Sequence, residues 1–285
     1  MYLVVLVVYL LVLVVCVVHL GLQFVHLDLQ FVHLVLHVVH LAEQTPTRLY
    51  LDLLKGVLTR LVTDSGQLGD QTRAAREAGA DWPDDAETMV GMQRLDNLDE
   101  CIATVLAEGV PGDLMECGVW RGGAAIFMRA ALAAHGDRER RVWVADSFAG
   151  VPPPDPVIFP DDSGSWLHTI DSLAVSRPDV EANFARYGLL DERVRFIEGS
   201  FRDTLPDAPV ERLAVLRLDG DLYESTFVAL ESLYAKVSAG GFVIVDDYGA
   251  LPACQAAVDD IRSDYAIDEP LERIDWAGAY WRKTT

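Results

Sequence analysis

Basic charge is what this sequence most lacks. Of its 285 residues only 23 are Lys or Arg, against 44 Asp or Glu, for a formal charge of −21. Lysine occurs only at Lys55, Lys236 and Lys283. Neutralising a phosphate backbone takes a basic surface, so the composition excludes nucleic acid as a partner. Cysteine is scarce as well: Cys16, Cys101, Cys117 and Cys254 have neither the paired spacing of a zinc site nor the density of a disulfide framework. Reduced thiols and a cytoplasmic setting are expected, with no catalytic role for any of the four. The dinucleotide fingerprint G-x-G-x-x-G is also missing, because its glycine places fall on Glu116, Gly118 and Arg121.

Residues 1–42 differ from all that follows. Val and Leu fill 26 of these 42 positions, Asp28 is the only formal charge, and five of the seven histidines lie here. Residues 3–22 are long enough to span a bilayer. Yet no Lys or Arg precedes Arg48, so the positive end of a signal peptide and an orienting flank are both absent. A heptad recurs nearly verbatim, as HLGLQFV from His19, HLDLQFV from His26 and HLVLHVV from His33. Coiled coils preserve apolar character and not identity, so the pattern reads as a translated tandem repeat. The expectation is a functional start near residues 39–43 and a mis-called start upstream, with a membrane segment as the alternative. With that segment discounted, no stable membrane association is expected.

Residues 43–110 read as a helical region. A helix starts at Thr45-Pro46-Thr47 with a stripe of Leu49, Leu53, Val57, Leu58 and Leu61, whose apolar surface also offers a face for a homo-oligomer. Residues 64–85 read as a polar loop, and a second helix runs from about Glu87 to Ala107. From 111 to 285 strands and helices alternate, which implies a parallel sheet. The first strand ends in ECGVWRGG, an E-x-G-x-x-x-G-G turn whose glycines allow close approach of a ligand. Glu116 there would repel a pyrophosphate and suits an ammonium and a sulfonium, which points to S-adenosylmethionine. The second strand ends at Asp146, where such folds hold ribose hydroxyls; a turn-capping Asp is the alternative. Residues 151–180, with six prolines, read as a substrate lid. A third strand, 194–198, leads to Ser200 and Phe201, placed to border an adenine.

The organising stretch is Leu213–Tyr248, LAVLRLDGDLYESTFVALESLYAKVSAGGFVIVDDY. Two apolar strands joined by a helix form a right-handed βαβ unit, so both strands end on one edge of the sheet. Asp219 and Asp221 follow the first strand, Asp246 and Asp247 the second, and neighbouring strands lie about 4.8 Å apart. Converging hard oxygens suit Mg²⁺. Helix capping by Asp221 and a turn at Asp247 are the bland alternatives. A hairpin joined through Trp276-Ala277-Gly278 closes the chain.

Six stretches, TPTRLYLDLLKG, TMVGMQRLDNL, ECGVWRGGAAIFMRA, VWVADSFAGVPPPD, RLDGDLYESTFVALE and GGFVIVDDYG, follow in order over about residues 45–285. Together they resemble the macrocin-type sugar O-methyltransferases of macrolide and aminocoumarin antibiotic biosynthesis. The resemblance implies a class I S-adenosylmethionine-dependent, Rossmann-like α/β fold with helices on both faces of the sheet and a terminal antiparallel hairpin. It implies Mg²⁺-dependent methyl transfer to a deoxysugar hydroxyl of a glycosylated natural product, a small-molecule partner. Asp219, Asp246 and Asp247 correspond to metal ligands, and Asp221, beside Asp219, to the general base. The implied cofactor site is Thr88, Met89, Glu116, Cys117, Gly118, Val119, Trp120, Gly122, Asp146, Ser147, Phe148, Ser200, Phe201, Asp219 and Gly220. Cys117 departs from the Thr common in relatives. Two rivals remain open: a Mg²⁺-dependent catechol or phenol O-methyltransferase, and a glycosyltransferase using Asp219-Gly220-Asp221 as D-x-D.

Overall fold

A computed structural model of the chain describes residues 45–62 and 69–285, so the readings of residues 1–42 lie outside the described residues. Contacts divide the chain after Asp52, and the sheet and its cleft belong to the second unit, Leu53–Thr285. No described helix is long and apolar enough to cross a membrane.

Seven strands form one sheet in the order β3-β2-β1-β4-β5-β7-β6. They are β1 (Asp113–Cys117), β2 (Val142–Asp146), β3 (Val194–Glu198), β4 (Leu213–Leu218), β5 (Val237–Val245), β6 (Glu272–Arg273) and β7 (Ala279–Arg282). The first five are parallel, and β7 adds to β5 antiparallel. The expected five parallel strands and terminal antiparallel hairpin of a class I fold are thus present. Strands covered on both faces read as unbroken apolar runs, and every residue of β4 is buried.

The α-helices among the described residues are α1 (Pro46–Leu58), α2 (Asp70–Glu77), α3 (Met92–Ala107), α4 (Gly123–Ala134), α5 (Arg177–Arg186), α6 (Phe201–Thr204), α7 (Tyr223–Leu233) and α8 (Pro252–Asp264). Alternation along the strands sorts them. Met115, Cys117, Leu216, Leu218, Val243 and Val245 share a core with Ala229, Leu230 and Leu233 of α7 and Val258 and Ile261 of α8. The intervening residues, among them Glu116 and Arg217, face the other side, where α3 and α4 pack on each other and on the sheet.

Four expectations change. Leu49 and Leu53 are more than half exposed, while Leu54, Lys55, Leu58 and Leu61 are buried. The buried face of α1 includes Lys55 because Asp96 and Asp99 of α3 each accept from its ammonium at 2.8 Å, which hid the true stripe behind a charge. A helix, α2, stands within the stretch read as loop; DQTRAARE has no apolar stripe to reveal it. The next helix starts at Met92 and not near Glu87, since the Thr88 hydroxyl accepts the Val90 N–H at 3.1 Å and bends the chain into a turn first. Within 151–180 the chain forms short 3₁₀ turns at Pro160–Asp162, Leu167–Thr169 and Asp171–Leu173, and α5 begins at Arg177, capped by Ser176.

Candidate active site

The carboxyl ends of β1, β2, β4 and β5 open into a single cleft of about 230 Å³. Fifteen residues expected at the site line it: Thr88, Met89, Glu116, Gly118, Val119, Trp120, Asp146, Ser147, Ser200, Phe201, Asp219, Gly220, Asp221, Asp246 and Asp247. Three do not. Cys117 alternates onto the far face and is fully buried against the α7 side. Gly122 caps α4 at φ 87° and sits under Val180, and Phe148 is buried with its ring 6.0 Å from Phe196.

The glycines of the β1 turn serve the protein's own packing. A Cβ on Gly118 would lie 1.8 Å from the Asp219 carbonyl oxygen, and one on Gly123 would lie 2.5 Å from that of Glu87. Gly118 therefore lets β4 end flush beside β1, where the Asp219 N–H donates to the Cys117 carbonyl at 2.8 Å. Three non-glycine residues just beyond strand ends adopt left-handed backbone: Trp120 after β1 (φ 47°), Phe148 after β2 (φ 53°) and Asp221 after β4 (φ 62°). Such conformations persist only where the surroundings over-determine them, and they gather at functional sites. Asp146 provides part of that determination, accepting from the N–H groups of Val119 at 2.7 Å and Phe148 at 2.8 Å. Its carboxylate thus braces two turns while still facing the cleft.

The acids divide into two sets. One carboxylate oxygen from each of Asp219, Asp221 and Asp247 lies within 4.8 Å of the others, a grouping able to hold a metal ion. Asp246, expected among the ligands, is engaged elsewhere: one oxygen accepts from Arg94 and the other from Arg217. Arg217 also pairs with Glu116, and with Asp219 at 2.9 Å. Sequence reasoning missed both arginines, although a lone Arg inside the apolar run LAVLRL was a visible signal of a buried cation needing acids.

Burial raises the Asp246 carboxyl, but the guanidiniums of Arg217 and Arg94 outweigh it and hold the group below the usual range. Burial pushes Glu116 up to about 8 against the pull of Arg217. Asp221 is pushed up to about 8 by burial and by the charges of Asp219, Asp246 and Asp146. Asp247 is raised well above the ordinary value by burial and by Asp221, and its Oδ2 is buried without a hydrogen-bond partner.

The strap from 151 to 176 is fastened to the site at two points. The indole N–H of Trp120 donates to the Ser172 carbonyl at 2.8 Å. Asp162, only 1% exposed, accepts from the N–H groups of Tyr223 at 2.6 Å and Glu224 at 3.0 Å. The cap of α7 is therefore supplied by the strap and not by Asp221, whose carboxylate makes no hydrogen bond among the described residues. Asp162, Trp82 and Trp276 carried no sequence signal that would have placed them here.

Two expectations follow from this geometry. Between about pH 4 and pH 8 the folded protein holds protons on Asp221 and Glu116 that the unfolded chain has released, so metal-free stability falls as pH rises. Asp246, shifted down, contributes nothing in that window. Metal ligands must be deprotonated, so in thermal melts Tm in EDTA is expected to be lower at pH 8.5 than at pH 6.5, with Mg²⁺ raising Tm more at pH 8.5. A pH-independent Tm in EDTA would contradict the raised acids. Asp162→Ala should cost about 2 kcal/mol, as loss of a helix cap does, and expose residues 152–176 to limited proteolysis; wild-type protection would show that the latch does not hold the strap.

Comparison with known proteins agrees with this arrangement. The family model described as Macrocin-O-methyltransferase (TylF) matches residues 63–283. The 8-demethyl-8-(2,3-dimethoxy-alpha-L-rhamnosyl)-tetracenomycin-C 4'-O-methyltransferase of Streptomyces olivaceus is 56% identical over 243 residues, covering 83% of this chain and 93% of that protein. The mycinamicin III 3''-O-methyltransferase of Micromonospora griseorubida is 47% identical over 250 residues, covering 84% of this chain and 98% of its own. The solved structure of the O-methyltransferase NovP superposes with a TM-score of 0.80 at 50% identity, covering 84% of this chain and all of that one (100%). With its class I sheet and its acid cluster at the ends of β4 and β5, this chain belongs to the macrocin-O-methyltransferase (TylF) family of S-adenosylmethionine-dependent O-methyltransferases.

Proposed function

We propose that this chain methylates a deoxysugar hydroxyl of a glycosylated natural product, with S-adenosylmethionine as donor, Mg²⁺ held at Asp219 and Asp247, and Asp221 as general base. The observation that carries the proposal is the convergence of Asp219, Asp221 and Asp247 in the cleft that also contains the β1 turn and Asp146. Relatives whose names specify a rhamnosyl-tetracenomycin and mycinamicin III support the acceptor class.

The donor set fits a hard divalent ion. It offers carboxylate oxygens, and Asp247 Oδ2 is buried with no protein partner. Asp246 is left out of the proposed ligand set, because both its oxygens already accept from guanidinium groups. When bound, Mg²⁺ supplies electrostatic stabilisation of charge developing on the acceptor oxygen.

The remaining work falls to the chain's own groups. A sugar hydroxyl is a poor nucleophile at neutral pH and must lose its proton as it reacts. Asp221, raised to about 8 and unclaimed by hydrogen bonds, is a far better proton acceptor than an ordinary Asp. Its left-handed backbone aims the carboxylate from the loop into the cleft. Glu116 Oε2, also buried without a partner and lining the same cleft, suits the ammonium of the donor. Asp146, at the end of the neighbouring strand and lining the same cleft, suits the ribose hydroxyls. The strap over the cleft excludes water from the transfer.

Isothermal titration of S-adenosylhomocysteine into the full chain, with and without Mg²⁺, is the direct test. Micromolar binding is expected, and its absence in a demonstrably folded preparation would remove the donor assignment. Asp221→Asn should lower turnover by a factor of about 10² to 10⁴ while S-adenosylhomocysteine still binds. Turnover kept within a few-fold of wild type would rule Asp221 out as the base.

A further inference from the structure

Two half-exposed tryptophans of the cleft lining are absorbed by neither the donor site nor the acid cluster. Trp82 is 51% exposed and Trp276 is 52% exposed, and both line the cleft. Trp82 follows α2, and Trp276 sits in the turn between β6 and β7. The β6–β7 turn belongs to the half of the sheet beyond β5, whereas the residues assigned to the donor, Asp146, Ser200 and Phe201, follow β2 and β3 at the opposite half.

Both turns are fixed to the acid cluster through Arg94. Its guanidinium donates to Asp246, to the Gly79 carbonyl at 3.1 Å just ahead of Trp82, and to Asp275 at 3.0 Å immediately before Trp276. Asp275 in turn accepts from the N–H groups of Ala277 at 2.9 Å and Gly278 at 2.7 Å, which closes the turn around the indole. The Trp276 indole N–H donates to the Ala78 carbonyl at 2.9 Å, joining the two turns. Trp276 is thus held by a rigid frame, with the Arg94 guanidinium 5.9 Å from its ring centre and half its surface in water, and two such indoles lining one cleft are the pattern of a binding surface.

We propose that Trp82 and Trp276 form an aromatic platform for the aglycone of the acceptor, and that the platform favours a flat, aromatic ring system. This inference rests on the sugar-methyltransferase reading. An acceptor hydroxyl seated at Asp221 must have the rest of its molecule extend away from the donor half, and these two rings are among the cleft's lining outside that half. Indole faces gain most from planar π-systems through offset stacking, and a rigid ring costs little ordering entropy on binding. A puckered macrolide ring presents no such face.

The test compares two acceptors in steady-state kinetics: the rhamnosyl-tetracenomycin glycoside that names the Streptomyces olivaceus relative, and the methyl glycoside of the same dimethoxy-rhamnose. The wild type is expected to prefer the ring-bearing glycoside through KM. Trp82→Ala and Trp276→Ala should each shrink that preference by about tenfold, and Trp→Phe at either position should restore most of it. Mycinamicin III serves as the non-planar comparison and should lose less. Trp82 makes no hydrogen bond among the described residues, so Trp82→Ala carries the test if Trp276→Ala fails to fold. An unchanged preference in folded variants, no preference in the wild type, or an equal loss for mycinamicin III would overturn the platform while leaving the methyltransferase reading intact. If no acceptor is methylated, the functional reading falls, and calorimetric binding of the glycoside to wild type and Trp82→Ala decides the platform alone: equal affinity would overturn it, and weakened affinity would sustain it.

Discussion

Arg217 is the charge on which the site depends. Glu116, Asp219, Asp221, Asp246 and Asp247 crowd the ends of three adjacent strands, β1, β4 and β5, and like charges in so buried a place drive one another to protonate or apart. Arg217 projects from inside β4 and contacts Glu116, Asp219 and Asp246, so three of the five carboxylates share one buried cation. Removing one partner of such a buried group leaves uncompensated charge and costs several kcal/mol, about 3–5 in measured cases. The sheet can therefore present acids on a common edge because its central strand brings their counter-charge with it. Arg94 adds a second cation to Asp246 from outside the sheet, and it ties α3 to the two turns at the mouth of the cleft.

The division of labour among the aspartates follows from the same arrangement. Asp246, between two guanidiniums, is stabilised as an anion with both oxygens already accepting charged hydrogen bonds. Its neighbour in sequence, Asp247, pairs with neither arginine, keeps a buried oxygen without a partner and becomes the acid most in need of a cation. Adjacent residues of one cleft thus take different electrostatic roles, one claimed by arginines and the other left to a cation.

Much of this was legible in the chain, for identifiable reasons. Apolar runs ending in acids announce strands and the edge on which they finish, so Asp219, Asp221, Asp246 and Asp247 were placed correctly at one edge. Which of them pairs with arginine was not legible, since Arg94 lies 152 positions from Asp246. The glycines of the β1 turn were visible, but one reason for them was not: Gly118 lines the cleft and also makes room for the backbone that follows β4. Lys55 disguised the buried face of α1, because its neutralising acids lie on another helix. Asp162 resembled any other acid in a Pro- and Asp-rich stretch, and only the fold brings it to the first turn of α7.

That last contact bears on how the strap over the cleft can vary. It is pinned at Asp162 and again at Ser172, and between these pins residues such as Trp166 point outward, 62% exposed. Lifting the strap at Asp162 would strip two amide groups of their acceptor at the start of the helix that follows Asp221, so the anchored end is costly to alter. The span between the pins carries no such debt. An ancestral protein could exchange that span for one of different bulk, and so meet a new antibiotic scaffold, without disturbing the loop that carries Asp221.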